Sequence, residues 1–260
     1  MSLFDIFHSK NRDKTPTISK TAEIDTVDLA LYLLSTLSIG SITPEKYKQT
    51  VENELRLCDV NNTGFPDRQT LLLRIIELAG NPDTPKQRYL LAKAYSWSHA
   101  EYRPQAINYL NLYLNSDPYC GAYENVYIPE DKNNPSSWVS PKNQHLSEMY
   151  SALGDAYLGE YMNQEALYAY QKANEYAPSF VGTYYAMANA YTHMNELEHA
   201  LEVFENAKNS PYYLTRNWYD KISGQNREIT FWKSIDAGEK EIREKIERGY
   251  VYRPRKTKKN

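Results

Sequence analysis

Residues 147–180 read SEMYSALGDAYLGEYMNQEALYAYQKANEYAPSF, and residues 181–214 read VGTYYAMANAYTHMNELEHALEVFENAKNSPYYL. The second segment repeats the pattern of the first at a spacing of 34 residues. The positions in the first copy are Tyr150, Leu153, Gly154, Tyr157, Ala166, Tyr170, Ala173 and Pro178, and those in the second are Tyr184, Met187, Ala188, Tyr191, Ala200, Phe204, Ala207 and Tyr212. The chain therefore contains an internal repeat.

The repeated pattern predicts a hairpin of two antiparallel helices. Small residues such as Gly154 and Ala188 let two helix backbones approach closely, while Tyr170 and Phe204 fill the space between the helices. Such a hairpin leaves an apolar face that only a neighbouring hairpin can cover. We therefore expect more helices before residue 147 and after residue 214.

The order of aromatic, large apolar, Gly or Ala, Tyr and a later Ala-x3-aromatic-x2-Ala run resembles the tetratricopeptide repeat (TPR) family. The first copy also has the closing Pro178, whereas the second departs from the family by placing Pro211 one residue early. The resemblance implies a stack of helical hairpins. With the flanking segments, the expected fold class is all-α: a TPR-like helical-hairpin solenoid with an N-terminal helical subdomain and a C-terminal capping helix.

The periodicity predicts the domain organisation of the whole chain. We expect a flexible N-terminal arm at 1–22, an N-terminal helical subdomain at 23–82, a TPR-like solenoid at 83–250 and a basic tail at 251–260. Within the solenoid we place repeats at about 85–120, 147–180 and 181–214, an insertion at 121–146 and capping helices at 215–250. The insertion either lies against the concave face and narrows it or is an irregular connection.

Three helices are predicted in the N-terminal subdomain. The first is capped by Asp25 or Thr26, and the second begins with Thr43 as N-cap and Pro44 at the first helical position. The third runs over about 67–79 and ends before a glycine.

The first repeat unit is longer than the other two. Leu91 and Tyr95 match the first half of the pattern, but Ala106 and Leu110 match the second half two residues late. This offset predicts a longer turn around residues 100–104.

A long amphipathic helix is predicted at about 227–248. Ile235, Ile242 and Ile246 are among the apolar residues on one face, and charged residues occupy the rest. Because terminal repeats need a polar outer face, we interpret this helix as the cap.

Composition predicts a soluble cytoplasmic protein. The chain has 260 residues, 41% of them hydrophobic, and no run approaches the roughly 18 apolar residues of a membrane span. Its start lacks the basic region and long apolar core of a secretory signal. Cys58 and Cys120 are far apart in sequence, which fits a reducing compartment better than a disulfide framework.

Charge is segregated along the chain. The net charge is −3, but residues 1–22 carry +2 and residues 253–260 carry +5, which leaves −10 for residues 23–252. An acidic body does not form a nucleic-acid groove, so we expect no nucleic acid and no membrane as partner. The basic tail is interpreted as a solvated segment, and contact of the tail with phosphates or an acidic surface is the alternative.

Catalysis and metal binding have no support in the sequence. The five histidines occur in no metal-ligand spacing, and the phosphate-binding and nucleophile motifs are missing. We therefore predict a protein that is not an enzyme, without cofactor, metal or small-molecule substrate.

Binding of a protein or peptide is the preferred function. In repeats of this kind, the first helix of each hairpin lines a concave face with residues that point away from the packing positions. These residues are Tyr89, Lys93, Trp97, Glu148, Asp155, Leu158, Tyr185, Asn189 and His193. Mixed aromatic, amide and charged groups suit an extended peptide or a partner helix. The alternatives are a peptide-sensing regulator and a structural protein that self-assembles into a homo-oligomer.

Overall fold

The computed structural model of the protein describes residues 24–37, 43–116, 139–209 and 230–254, with side chains from residue 234 in the last range. All regular structure in these ranges is helical, which confirms the all-α class. The helices are α1 (Thr26–Thr36), α2 (Lys48–Leu57), α3 (Arg68–Ala79), α4 (Pro85–Trp97), α5 (Arg103–Leu114), α6 (Pro141–Gly159), α7 (Asn163–Tyr176), α8 (Val181–His193), α9 (Leu197–Lys208) and α10 (Thr230–Glu247). The predictions for the arm at 1–22, for 121–138, for 215–229 and for the tail beyond residue 254 lie outside the described residues.

Helices pack in chain order. From α3 to α10, each helix contacts the next one along the chain, and α1 packs on α3. Alternate helices also touch, since α6 contacts both α4 and α8, and α8 contacts α10. The first helices of successive pairs therefore share one side of the molecule.

Of the two N-caps predicted for α1, the structure has Asp25, and α3 is capped by Asp67, which was predicted as its first residue. Asp25 Oδ1 accepts a hydrogen bond from the backbone N–H of Val27 at 2.9 Å. Asp67 Oδ1 accepts one from the backbone N–H of Thr70 at 2.8 Å. Each carboxylate satisfies donors that the first helical turn leaves unpaired.

The prediction that Thr43 caps the second helix is wrong. A 3-10 turn, Glu45–Tyr47, comes first, and α2 begins only at Lys48 with no side-chain cap. The turn brings the Tyr47 ring to within 5.8 Å of the Tyr32 ring on α1, measured between centroids. This contact between helices is not encoded in the local sequence.

The two repeat copies have the same turn between their helices. Tyr161 in the α6–α7 turn and Asn195 in the α8–α9 turn are 34 residues apart, and both have φ of 62°. Residues other than glycine rarely adopt this conformation. The matching hydrogen bonds run from Met162 N–H to Tyr157 C=O at 3.0 Å and from Glu196 N–H to Tyr191 C=O at 2.9 Å. The sequence repeat is therefore also a repeat of backbone geometry.

Gly154 allows α6 and α7 to pack closely. A Cβ atom built at this position would lie 2.4 Å from Cε1 of Tyr170, whose side chain is fully buried on α7. The predicted packing role of Gly154 is confirmed, because any larger residue would overlap the ring.

The first repeat unit has the longer turn that its offset predicted. A 3-10 turn, Ala100–Tyr102, lies between α4 and α5. The proposed insertion, however, ends earlier than expected. Residues 141–146 belong to α6, which begins after the N-cap Ser140 and buries His145 and Leu146. Burial of these two residues extends the helix beyond the repeat pattern.

Helix α10 covers the end of the helix row. Ile235 and Ile242 are buried, which confirms the predicted apolar face, and α10 packs on α9 and α8. Gly238 lies directly against the Phe204 ring, since a Cβ there would be 2.4 Å from Phe204 Cζ. The helix thus closes the apolar side of the second repeat copy.

Candidate functional site

A cavity of about 610 Å³ lies between α4 and α6, with Phe180 at its edge just before α8. We call it the central groove. Four of its lining side chains were predicted from the sequence, namely Lys93, Trp97, Glu148 and Asp155. The structure therefore brings together predicted residues from two successive hairpins.

Lys93 is held at one wall of the central groove. Its Nζ lies 4.7 Å from the centroid of the Trp97 ring and 3.4 Å from Glu148 Oε2. The lysine side chain is only 14% exposed, whereas that of Glu148 is 45% exposed. Lys93 is therefore part of the wall of the central groove, whereas the Glu148 side chain extends into the groove and is more exposed to solvent.

Asp155 lies where the central groove meets a second cavity. Its Oδ1 accepts a hydrogen bond from the Tyr170 hydroxyl at 2.7 Å. Asp155 is an exposed residue, but the surrounding walls partly desolvate its carboxylate and raise the pKa of Asp155, while the Tyr170 hydrogen bond opposes this shift. Among the described residues, no cationic side chain lies within 4 Å of it.

The second cavity, which we call the α10 groove, has a volume of about 330 Å³ and lies between α8 and α10. It is lined by Leu158, Tyr185 and Asn189 from the predicted set. The Tyr185 hydroxyl donates a hydrogen bond to the backbone carbonyl of Ser234 on α10. Helix α10 therefore occupies part of the surface predicted to be open.

Tyr89 and His193 lie outside both grooves. Tyr89 is partly buried, with ring centroids 5.9 Å from Tyr113 and 5.5 Å from His145. His193 is covered by the Tyr252 ring, which stacks on it at a centroid distance of 3.9 Å. Burial, with a smaller effect of nearby Lys245, lowers the pKa of His193.

His145 forms a buried polar contact that the sequence did not reveal. Its Nε2 is 2.8 Å from the Tyr113 hydroxyl, and the side chain is 3% exposed. Burial, followed by the effect of nearby Lys93, lowers the pKa of His145 to about 4. The two partners are 32 residues apart on α5 and α6, and no local pattern connects them.

The described residues show no arrangement for metal chemistry. In the ranges that the structure covers, no group of three or more His, Cys, Asp or Glu side chains is placed to hold a metal ion. No helix in those ranges has both the length and the apolarity needed to cross a membrane.

The described part of the chain is therefore an all-α protein in which consecutive helices pack on each other, and the central groove lies between α4 and α6. No protein-family model matches this chain, and a search of curated proteins found no match.

Proposed function

We propose that this chain is a non-catalytic adaptor whose helical hairpins form a TPR-like solenoid and whose central groove binds an extended peptide segment of a partner protein. The observation that carries the proposal is the convergence of Lys93, Trp97, Glu148 and Asp155 on one cavity. The 34-residue repeat, with its matching turns at Tyr161 and Asn195, supports the solenoid.

The chemistry of the central groove favours a peptide that combines an apolar or aromatic residue with a basic one. The Trp97 and Phe180 rings offer apolar surface, and a cavity of about 610 Å³ is large enough for a few side chains. Glu148 and Asp155 supply acceptors, and Asp155 has no cation of its own among the described residues. Two cations also line the groove, but Lys93 pairs with Glu148 and Arg103 pairs with Glu160, so a lysine or arginine of the ligand would pair with Asp155.

The experiment is selection from a random peptide library displayed on phage, followed by fluorescence anisotropy with the selected peptides. We expect the double variant Glu148→Gln, Asp155→Asn to weaken binding of a basic peptide about tenfold, or about 1.4 kcal/mol, because two acceptor charges are lost. The Asp155→Asn substitution retains a carbonyl oxygen that can accept the Tyr170 hydrogen bond.

A matched control is the double variant Glu198→Gln, Glu202→Gln. Both glutamates are exposed on α9 and do not line the central groove, so the same charge is removed elsewhere. Equal weakening by the two double variants would mean that only net charge matters. Unchanged binding in the groove variant, or failure to select any peptide, would contradict the proposal.

A further inference from the structure

Residues after α10 return along the corner between α8 and α9. Gly249 has φ of +60°, and the backbone N–H of Tyr250 donates to the Lys245 carbonyl at 2.9 Å, which ends the helix and reverses the chain. Residues 251–254 then have no regular structure of their own. We call residues 250–254 the return segment.

The Asn195 side chain contacts both backbone polar groups of one residue in the return segment. Its Oδ1 accepts a hydrogen bond from the Tyr252 backbone N–H at 2.6 Å, and its Nδ2 donates to the Tyr252 carbonyl at 3.5 Å. An amide placed in this way recognises backbone regardless of side chain. Asn195 is held in position because it is the left-handed residue of the α8–α9 turn.

The Tyr252 side chain makes a second contact, with His193. The Tyr252 ring lies over the His193 ring with an angle of 15° between the planes. Stacked aromatic rings attract each other in addition to the apolar area that they bury. Asn195 therefore contacts the backbone of Tyr252 and His193 contacts its ring, and both residues lie at the C-terminal end of α8.

We infer that His193 and Asn195 form a recognition site for an extended peptide with an aromatic residue, and that the return segment occupies this site as an intramolecular ligand. The site is separate from the central groove and does not depend on the proposed function. Because the return segment is tethered, its effective concentration at the site is in the millimolar range, and a free peptide of the same sequence cannot compete. Binding in trans therefore requires that Tyr252 be displaced or removed.

The test uses the full chain and a fluorescent peptide with the sequence of residues 249–260, GYVYRPRKTKKN. We expect the Tyr252→Ala variant to bind this peptide about tenfold or more tightly than the wild type, because its own segment keeps only the backbone contacts with Asn195 and no longer covers the His193 ring. The Tyr252→Phe variant keeps the ring and should behave like the wild type. Anisotropy at about 0.15 M salt limits attraction between the basic peptide and the acidic body.

Two controls separate recognition from charge and from misfolding. A peptide with alanine in place of Tyr252 has the same charge and should bind none of the proteins well. The double variant Tyr252→Ala, Asn195→Gly should lose the gain in affinity, since glycine adopts the turn conformation but has no amide side chain. Circular dichroism would verify that each variant remains helical.

Three results would overturn the inference. They are equal affinity of the wild type and the Tyr252→Ala variant for the peptide, equal binding of the peptide with and without the tyrosine, and undiminished binding after removal of the Asn195 side chain.

Discussion

Replacing Gly154 with alanine is expected to destabilise the protein by about 1–3 kcal/mol, because the new Cβ overlaps a buried ring. The Cβ would lie 2.4 Å from Tyr170 Cε1, closer than two non-bonded carbon atoms can approach. The ring cannot easily move away, since it is 1% exposed and its hydroxyl is hydrogen-bonded to Asp155. The higher helix propensity of alanine, worth up to about 1 kcal/mol, offsets only part of this cost.

The matched control for this substitution is Gly182→Ala on α8. Gly182 is exposed, and a Cβ there would meet nothing within 4 Å. Alanine at this position should therefore stabilise the helix by about 0.5–1 kcal/mol. Urea unfolding followed by circular dichroism at 222 nm measures both variants. A Gly154→Ala midpoint equal to or above that of the wild type would refute the close packing of α6 on α7.

Acidification from pH 6.5 to pH 4 is expected to remove up to about 3 kcal/mol of stability through His145 alone. The folded protein lowers the pKa of this histidine from its ordinary value of 6.5 to about 4. Between these two values the unfolded chain binds the proton and the folded protein does not, so stability falls as the pH falls. At pH 6.5 the unfolded chain is still half protonated at this residue, and the contribution becomes constant only above about pH 7.5, where the histidine is neutral in both states.

The variant that tests this expectation is His145→Gln, whose amide stays neutral and can still form a hydrogen bond with the Tyr113 hydroxyl. Urea midpoints are measured for the wild type and the variant at pH 6.5 and pH 4.5. Because both proteins contain the same carboxylates, the difference between their losses of stability is the contribution of His145. We expect a smaller loss of stability in the variant. His199→Gln is the control, because His199 has a side chain that is 59% exposed. An equal loss of stability in wild type and His145→Gln would show that the buried histidine does not control acid sensitivity.

Helix α10 and the return segment decide which part of the predicted concave surface is open. Tyr185 donates a hydrogen bond to α10, and His193 is covered by Tyr252. The central groove, by contrast, is bordered by Glu148 and Asp155, which reach solvent. In the proposed adaptor, a partner would therefore first meet the surface between α4 and α6.

Much of the fold could be predicted because its signals are local. Asp25 and Asp67 cap helices within their own first turns, and the two-residue offset in the first repeat marks an added turn at Ala100–Tyr102. The local pattern at Thr43 and Pro44 led to a wrong prediction, because it does not distinguish an α-helix from the 3-10 turn that the structure has at Glu45–Tyr47.

The candidate site was predictable in part. Lys93, Trp97, Glu148 and Asp155 recur at positions set by helical periodicity, and these four side chains line one cavity. Tyr89 has the same kind of position, but it packs beside Tyr113 and His145 instead. Periodicity gives the side of a helix on which a residue lies, and it does not say what covers that side.

By itself the sequence determined the helices, the 34-residue repeat and the small residue that lets α6 and α7 pack, because each depends on residues close together in the chain. Tertiary structure alone decided that His145 meets Tyr113, that Tyr185 meets α10 and that Tyr252 lies on His193. These pairs are 32, 49 and 59 residues apart, beyond the reach of any local propensity or of the repeat period. Their formation requires that whole helices first be placed side by side.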